Sequence, residues 1–302
     1  MLRLIAARAL FVLAAACAAA PPPLSSLDGD LRALAAKVRG DVGIYVRDLR
    51  SGEEWSLAAD EPFPTASLIK VPILGALLAR VDRGELDYHQ QLTWTKDRLY
   101  PGEDLLGSFA DGQRVELSKV AMLMITTSDN SASLWCQELA GTGTAINEWL
   151  AAQGLATTRV NSRTKGREAE QKEFGWGVTT PREMCELLVR ARDGALGSRA
   201  MGEELQRCLA RIYWDAEALS VLPPSVHTLS KQGAVNRSRS EVVLVHAPRG
   251  DYVFCVITKN QADTSWTSDN EGFVLLRAVS ARLWRHFAPE RPYEPPAGRE
   301  RF

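Results

Sequence analysis

Three short groups of side chains in this sequence could do chemistry together. Ser67 and Lys70 stand three residues apart in SLIK (67–70). On a helix that spacing puts both on one face. A serine hydroxyl is a weak nucleophile and needs a base to take its proton. A lysine can be that base when burial or a neighbouring cation populates its neutral amine. At a helix start, Ser67 would also meet free backbone N–H groups suited to developing negative charge. Taken alone, Ser128-Asp129-Asn130 reads as a helix cap, and Lys231-Gln232-Gly233 as part of a strand. A further stretch, NSRTKGREAEQKEFGWGVTTP (161–181), sets Glu168, Glu170 and Glu173 among lysines and arginines. A general base must lie within hydrogen-bond reach of the proton it takes. Each glutamate is therefore a candidate base or a solvated loop charge.

The elements that must position these groups are legible in outline. VGIYVRDLRSGEEWSLAA (42–59) reads as a hairpin turning at Arg50-Ser51-Gly52-Glu53, where Gly supplies backbone freedom. The apolar run 67–80 predicts a buried helix, with local strain at Pro72. Helical periodicity also covers Leu117–Thr126 and Ser131–Leu139. Thr180-Pro181-Arg182-Glu183 predicts a helix start, with Thr180 as cap, Pro181 in the first position and Glu183 closing a capping box. That helix should stop at Gly194, and another should follow near 200–213. HTLSKQGAV, SEVVLVHA and YVFCVITK then read as an antiparallel trio, and 271–287 as an amphipathic helix. The charged, proline-containing residues 288–302 are expected to be disordered. Strands from both ends joining in one sheet under helices make an α+β fold. The expected layout is an α/β lobe (25–66 and 215–287), a helical lobe (67–214), and a cleft between them.

The chain has 302 residues, a net charge of −1, 45% hydrophobic and 24% charged residues. This is an ordinary globular composition. No long basic run favours a nucleic-acid partner. The start, MLRLIAARALFVLAAACAAAPPP, has Arg3 and Arg8 before an apolar run and small residues, as a secretory signal does. Cleavage after Ala20 and lipidation at Cys17 (LAAAC) are its two readings, and the run is too short to span a membrane. The expected location is secreted or periplasmic, in the lipidated case on the outer membrane. Loss of Arg3 and Arg8 would take the charge from −1 to about −3. Cys136, Cys185, Cys208 and Cys255 remain, and their pairing is open. No Cys/His cluster has metal-ligand spacing, so neither a metal nor another cofactor is expected. A monomer is expected.

In this order and at these spacings, SxxK, Ser-Asp-Asn and Lys-x-Gly resemble the active-site serine family of class A β-lactamases and penicillin-binding proteins. The likeness extends to DLRSGEEWSLAADEPFPTASLIKVPIL, GTGTAINEWLAAQGL, TTPREM and SEVVLVHAPRGDYVFCVITK, and so to roughly residues 40 to 287. It implies a five-stranded antiparallel sheet flanked by helices beside a helical lobe. It also implies a β-lactam or peptidoglycan-like amide as substrate. Ser67 would be the acylated nucleophile and Lys70 its base. Ser128 would pass a proton to the leaving nitrogen. Asn130 would hold the substrate amide and place Lys70. Lys231 would attract the substrate carboxylate and help keep Lys70 neutral, assisted by Arg239 or Arg237. The N–H groups of Ser67 and Ala234, beside Gly233, would form the oxyanion hole. Tyr100, in RLYPGEDLL, would form an aromatic wall.

The sequence departs from this family twice. Gln232 replaces the usual small hydroxyl between Lys and Gly. The family's loop glutamate, which activates the water that clears the acyl-enzyme, has no counterpart in sequence. Aligning Thr158-Arg159-Val160 puts Thr164 in its slot, with Glu168 four residues late. Three functions follow. The first is a β-lactamase whose water is activated by Glu168 or through Lys70. The second is a penicillin-binding, peptidase-like, amidase or esterase enzyme that deacylates β-lactams poorly. The third is a non-catalytic binding module, which the intact set of motif residues disfavours.

Overall fold

A computed structural model describes residues 21–301 apart from Glu103 and Arg211. The leader reading and Cys17 lie outside the described residues. In chain order come α1 (Asp28–Ala35), β1 (Asp41–Asp48), β2 (Glu54–Leu57), β3 (Phe63–Pro64), α2 (Lys70–Asp82), β4 (Gln91–Thr93) and β5 (Arg114–Glu116). Next are α3 (Leu117–Thr126), α4 (Asn130–Leu139), α5 (Thr142–Ala152), β6 (Arg159–Val160), α6 (Glu168–Phe174) and β7 (Gly177–Thr179). The chain closes with α7 (Pro181–Asp193), α8 (Arg199–Leu209), β8 (Thr228–Val235), β9 (Ser238–Val245), β10 (Tyr252–Lys259) and α9 (Glu271–Phe287).

The main sheet has five antiparallel strands in the order β2-β1-β10-β9-β8. Side chains alternate across a strand, and β10 shows the consequence. Val253, Cys255 and Ile257 face one core, with Met184, Leu187 and Leu188 of α7. Tyr252, Phe254 and Val256 face a second core, with Leu276, Val279, Leu283 and Phe287 of α9. Both faces of the sheet are therefore dry, and β9 is buried along its whole length. The helix α7, expected in the helical lobe, covers the sheet instead, because its apolar stripe meets the odd-numbered face of β10.

Local signals account for the boundaries. The β1–β2 turn is held by Asp48, whose carboxylate accepts from the Arg50 and Ser51 N–H groups at 2.8 and 3.3 Å, with Gly52 at φ +79°. The α7 cap forms as expected, Thr180 Oγ1 accepting from the Glu183 N–H at 3.1 Å, a contact worth about 1 kcal/mol. The capping box does not close. Glu183 turns outward and accepts from the N–H groups of Ala156, Thr157 and Thr158 at 2.8, 2.9 and 2.6 Å. It thereby pins the chain that leads into β6. Pro72 causes no break, since it is the third residue of α2, where a helix has no internal partner for the N–H.

One expectation is corrected and one open question is answered. Residues 288–301 follow a defined path over the surface. Trp284 Nε1 donates to Arg291 O at 2.9 Å, Arg249 pairs with Glu290 at 3.0 Å, and Arg299 pairs with Asp215 at 2.5 Å. Tyr293 also packs on the α9 core. These contacts supply what composition could not promise. The open question of cysteine pairing resolves to four buried, unpaired thiols. Burial pushes the Cys208 thiol up to about 12, so it is a poor nucleophile.

Candidate active site

Ser67 sits in a single 3-10 turn, Ala66–Ile69, that runs straight into α2 at Lys70. Ala66 is held at φ +44° and Ser128 at φ +61°. A non-glycine residue there costs of order 1–3 kcal/mol and persists only where the surroundings enforce it. At Ser128 the enforcement is visible, because both its carbonyl and its hydroxyl turn toward Lys70.

The Lys70 side-chain nitrogen, fully buried, has four oxygens within hydrogen-bond distance for its three N–H groups: Ser67 Oγ at 3.1 Å, Ser128 Oγ at 3.0 Å, Asn130 Oδ1 at 2.8 Å, and Ser128 O. The Lys231 ammonium, equally buried, donates to the same Ser128 Oγ at 3.1 Å. It also reaches Gln232 O at 3.1 Å and Gln232 Oε1 at 2.6 Å. The three motifs thus converge on one hydroxyl oxygen, with Ser67 on its outer side. Gln232, standing where the family carries a small hydroxyl, spends its amide oxygen on Lys231.

Strand β8 presses its backbone against the nucleophile turn. A side chain at Gly233 would stand 3.0 Å from Ser67 N and 2.9 Å from Thr65 O. Only a residue without Cβ permits that approach, which brings the strand edge carrying Ala234 beside the Ser67 N–H. Asp129, fully buried, caps α4 through Ala132 N at 2.7 Å and holds the N–H groups of Leu105 and Leu106 at 2.6 and 3.0 Å. Ser131 Oγ accepts from Tyr100 N at 2.9 Å. Together they fasten the Tyr100 loop to the site. Trp176 meets Tyr100 edge to face at 5.1 Å and lies 6.0 Å from the Lys70 ammonium.

Two cavities meet at Ser67, Asn130 and Ala234. One, of about 550 Å³, is lined by Tyr100, Glu173, Trp176 and Arg237. The other, of about 770 Å³, is lined by Ser128, Trp214, Glu217, Gln232, Trp266, Arg277 and Glu300. Burial raises the Glu217 carboxyl above the usual range, and one of its oxygens has no hydrogen-bond partner. Behind it Glu241, fully buried, accepts from Ser230 Oγ at 2.6 Å and Ala218 N at 2.8 Å. Burial and the neighbouring Glu217 push Glu241 up to about 8.

Most sequence candidates come together here: Ser67, Lys70, Tyr100, Ser128, Asn130, Lys231, Gln232, Gly233 and Ala234. Two do not. Glu168 opens α6 on the exposed side, where its carboxylate accepts from Gly166 N at 3.1 Å. Backbone N–H groups hold it below the usual carboxylate range, a poor setting for a general base. Of the three glutamates, Glu173 is the one that lines a cavity with Ser67; Glu170 pairs with Arg167 at 3.5 Å. Arg239 is fully buried and spends its guanidinium on the carbonyls of Ser238 at 2.8 Å, Ser265 at 2.5 Å and Val235 at 2.5 Å. It is sandwiched by Trp266 and Phe273 at 4.5 and 4.7 Å. It braces the β8–β9 edge and has no donor turned to a substrate. Thr164 is buried, its hydroxyl bonded to Ser162 O at 3.0 Å. It packs so tightly on α5 that a Cβ at Gly143 would fall 1.8 Å from Thr164 Oγ1. Arg277, Trp214, Glu217, Trp266 and Glu300 escaped sequence reasoning, since none belongs to a motif. Among the described residues no group of three His, Cys, Asp or Glu could hold a metal ion. No described helix is long and apolar enough to cross a membrane.

Comparison with known proteins gives the family and the fold. A family model described as "Beta-lactamase enzyme family" matches residues 26–287. The chain is 26% identical over 244 residues to β-lactamase AER-1 of Aeromonas hydrophila, covering 79% of each chain. Its fold is similar to that of PBP-A, with a TM-score of 0.77, 25% identity, and coverage of 89% of this chain and 98% of that one. A PBP-A variant described as an acyl-enzyme complex with penicillin G matches with the same figures. A β-lactamase from Sphaerobacter thermophilus matches in fold at a TM-score of 0.77 and 22% identity, over 87% of this chain and 97% of that one.

Proposed function

Since the chain belongs to the β-lactamase enzyme family, we propose that it is a serine hydrolase of amides, acylated on Ser67 by β-lactams and slow to release them. Lys70 takes the Ser67 Oγ proton across 3.1 Å, helped by the buried Lys231 ammonium that shares Ser128 Oγ with it, since a nearby like charge favours a neutral amine. Ser67 Oγ bonds to the substrate carbonyl carbon, and the N–H groups of Ser67 and Ala234 receive the oxyanion. Ser128 Oγ, between Lys70 at 3.0 Å and Lys231 at 3.1 Å, delivers a proton to the leaving nitrogen as the C–N bond breaks. An ester on Ser67 remains.

Release needs a water activated next to that ester. The observation that carries the slow-release reading is the placement of the loop. Glu168 faces outward, Thr164 packs on α5, and the indole of Trp176 lies over Lys70. A second reading has one observation in its favour, Glu173 lining the cavity beside Ser67. In that case Glu173 would activate the water and the protein would turn β-lactams over. An extracytoplasmic site of action belongs to the same proposal and rests on the leader-like first 20 residues. The test is intact-protein mass spectrometry after mixing with penicillin. A stable adduct, lost in Ser67→Ala, supports acylation with slow release. An unmodified protein in the presence of accumulating hydrolysed penicillin supports the Glu173 reading. Neither adduct nor product would remove both.

A further inference from the structure

The chain's own C-terminal segment enters the cleft. Arg299 anchors it to Asp215 at 2.5 Å, two positions from Glu217. The next residue, Glu300, lines the 770 Å³ cavity together with Ser67, Gln232 and Arg277. Arg277 projects from α9 into this cavity, where its guanidinium donates to Ser268 O and shares the lining with Glu300 and Glu217. A substrate carboxylate at this end of the cleft would meet Lys231, already engaged by Gln232 and Ser128, and Arg277, which shares the cavity with Glu300.

We propose that Glu300 is a specificity-determining residue: it stands where a substrate carboxylate would meet Arg277, and so weakens binding of amides with an anionic limb on that side. This rests on the reading of the cleft as an amide site. The physical basis is simple. A carboxylate brought to Arg277 enters the field of Glu300, a second carboxylate lining the same cavity. A neutral limb pays no such penalty and still has Trp214 and Trp266 to cover it.

The test measures binding apart from chemistry, in a Ser67→Ala background, by calorimetric titration with benzylpenicillin and with its neutral methyl ester. Glu300→Gln should tighten benzylpenicillin binding about two- to tenfold, the size expected of one partly exposed charge contact. It should leave the ester unchanged. With Arg277→Ala already present, Glu300→Gln should have no effect on benzylpenicillin. An unchanged dissociation constant, an equal gain for the ester, a gain that persists without Arg277, or no binding by any variant each overturns the proposal. Covalent labelling of the protein with Ser67 intact reports separately on the acylation reading. Labelling with Glu300-insensitive binding sinks this inference alone. Glu300-sensitive binding without labelling sinks the acylation reading alone.

Discussion

The indole of Trp176 lies over the ammonium of Lys70, its ring centroid 6.0 Å from the nitrogen. A cation at that distance from an indole face is held weakly but directionally. The ring also fills space beside the amine that is asked to take the Ser67 proton. The segment that carries Trp176 therefore closes on the nucleophile with an aromatic face, while Glu168 bonds the backbone of Gly166 and Glu170 pairs with Arg167.

Glu168→Gln should leave both acylation and release within about twofold of the parent. A true general base typically contributes about 10² to 10⁴, so single-turnover kinetics will separate the cases easily. A hundredfold slower release would return Glu168 to the site.

Placing a carboxylate at the aligned slot should not repair release. Thr164 is buried against Gly143 with no space for a longer side chain. Thr164→Glu should destabilise the fold by roughly 1–3 kcal/mol, as overpacking does, seen as a lower melting temperature. Faster deacylation in this variant would show that the slot faces the site after all.

Arg239→Ala should cost more stability than a surface arginine. It empties a space between Trp266 and Phe273 and removes a donor from three carbonyls, of which Ser265 O keeps Asn270 Nδ2 at 3.0 Å. A loss above about 2 kcal/mol is expected in denaturant unfolding. If Arg239 instead bound substrate, stability would hold while KM rose.

Stability should fall as pH rises through the neutral range. Burial, with Glu217 adding to it, lifts Glu241 from 4.5 to about 8 in the folded protein. Between those values the folded state holds a proton that the unfolded chain has released, so folding loses ground as pH increases. The contribution is complete below the unfolded value and is gone once pH passes the folded one. Glu241→Gln should flatten this decline, measured as melting temperature at pH 5 and pH 8. An equally steep decline in the variant would show that another group is responsible.

Much of this was legible in the sequence for local reasons. The period of two in β10, the Thr180-Pro181 start of α7 and the apolar stripe of α9 each carry their own signal. The candidate catalytic set was legible only through resemblance, because each of its three motifs alone reads as ordinary structure and only their order and spacing match a known family. What was missed depends on distant packing. Arg239 looks like a cleft cation until Trp266 and Phe273 fold over it. Glu300 looks like tail charge until Arg299 finds Asp215. The outward turn of Glu168 had a readable cue, since EAEQKEF (168–174) is rich in strong helix formers. As helix α6 it presents Glu168 to solvent.

The central claim, acylation of Ser67 without an effective route to release, is most directly tested by stopped-flow hydrolysis of a chromogenic cephalosporin. The account predicts a burst equal to one product per enzyme, absent in Ser67→Ala, followed by a rate slower by orders of magnitude. Linear turnover from the first second, with no burst and no accumulating adduct, would contradict it.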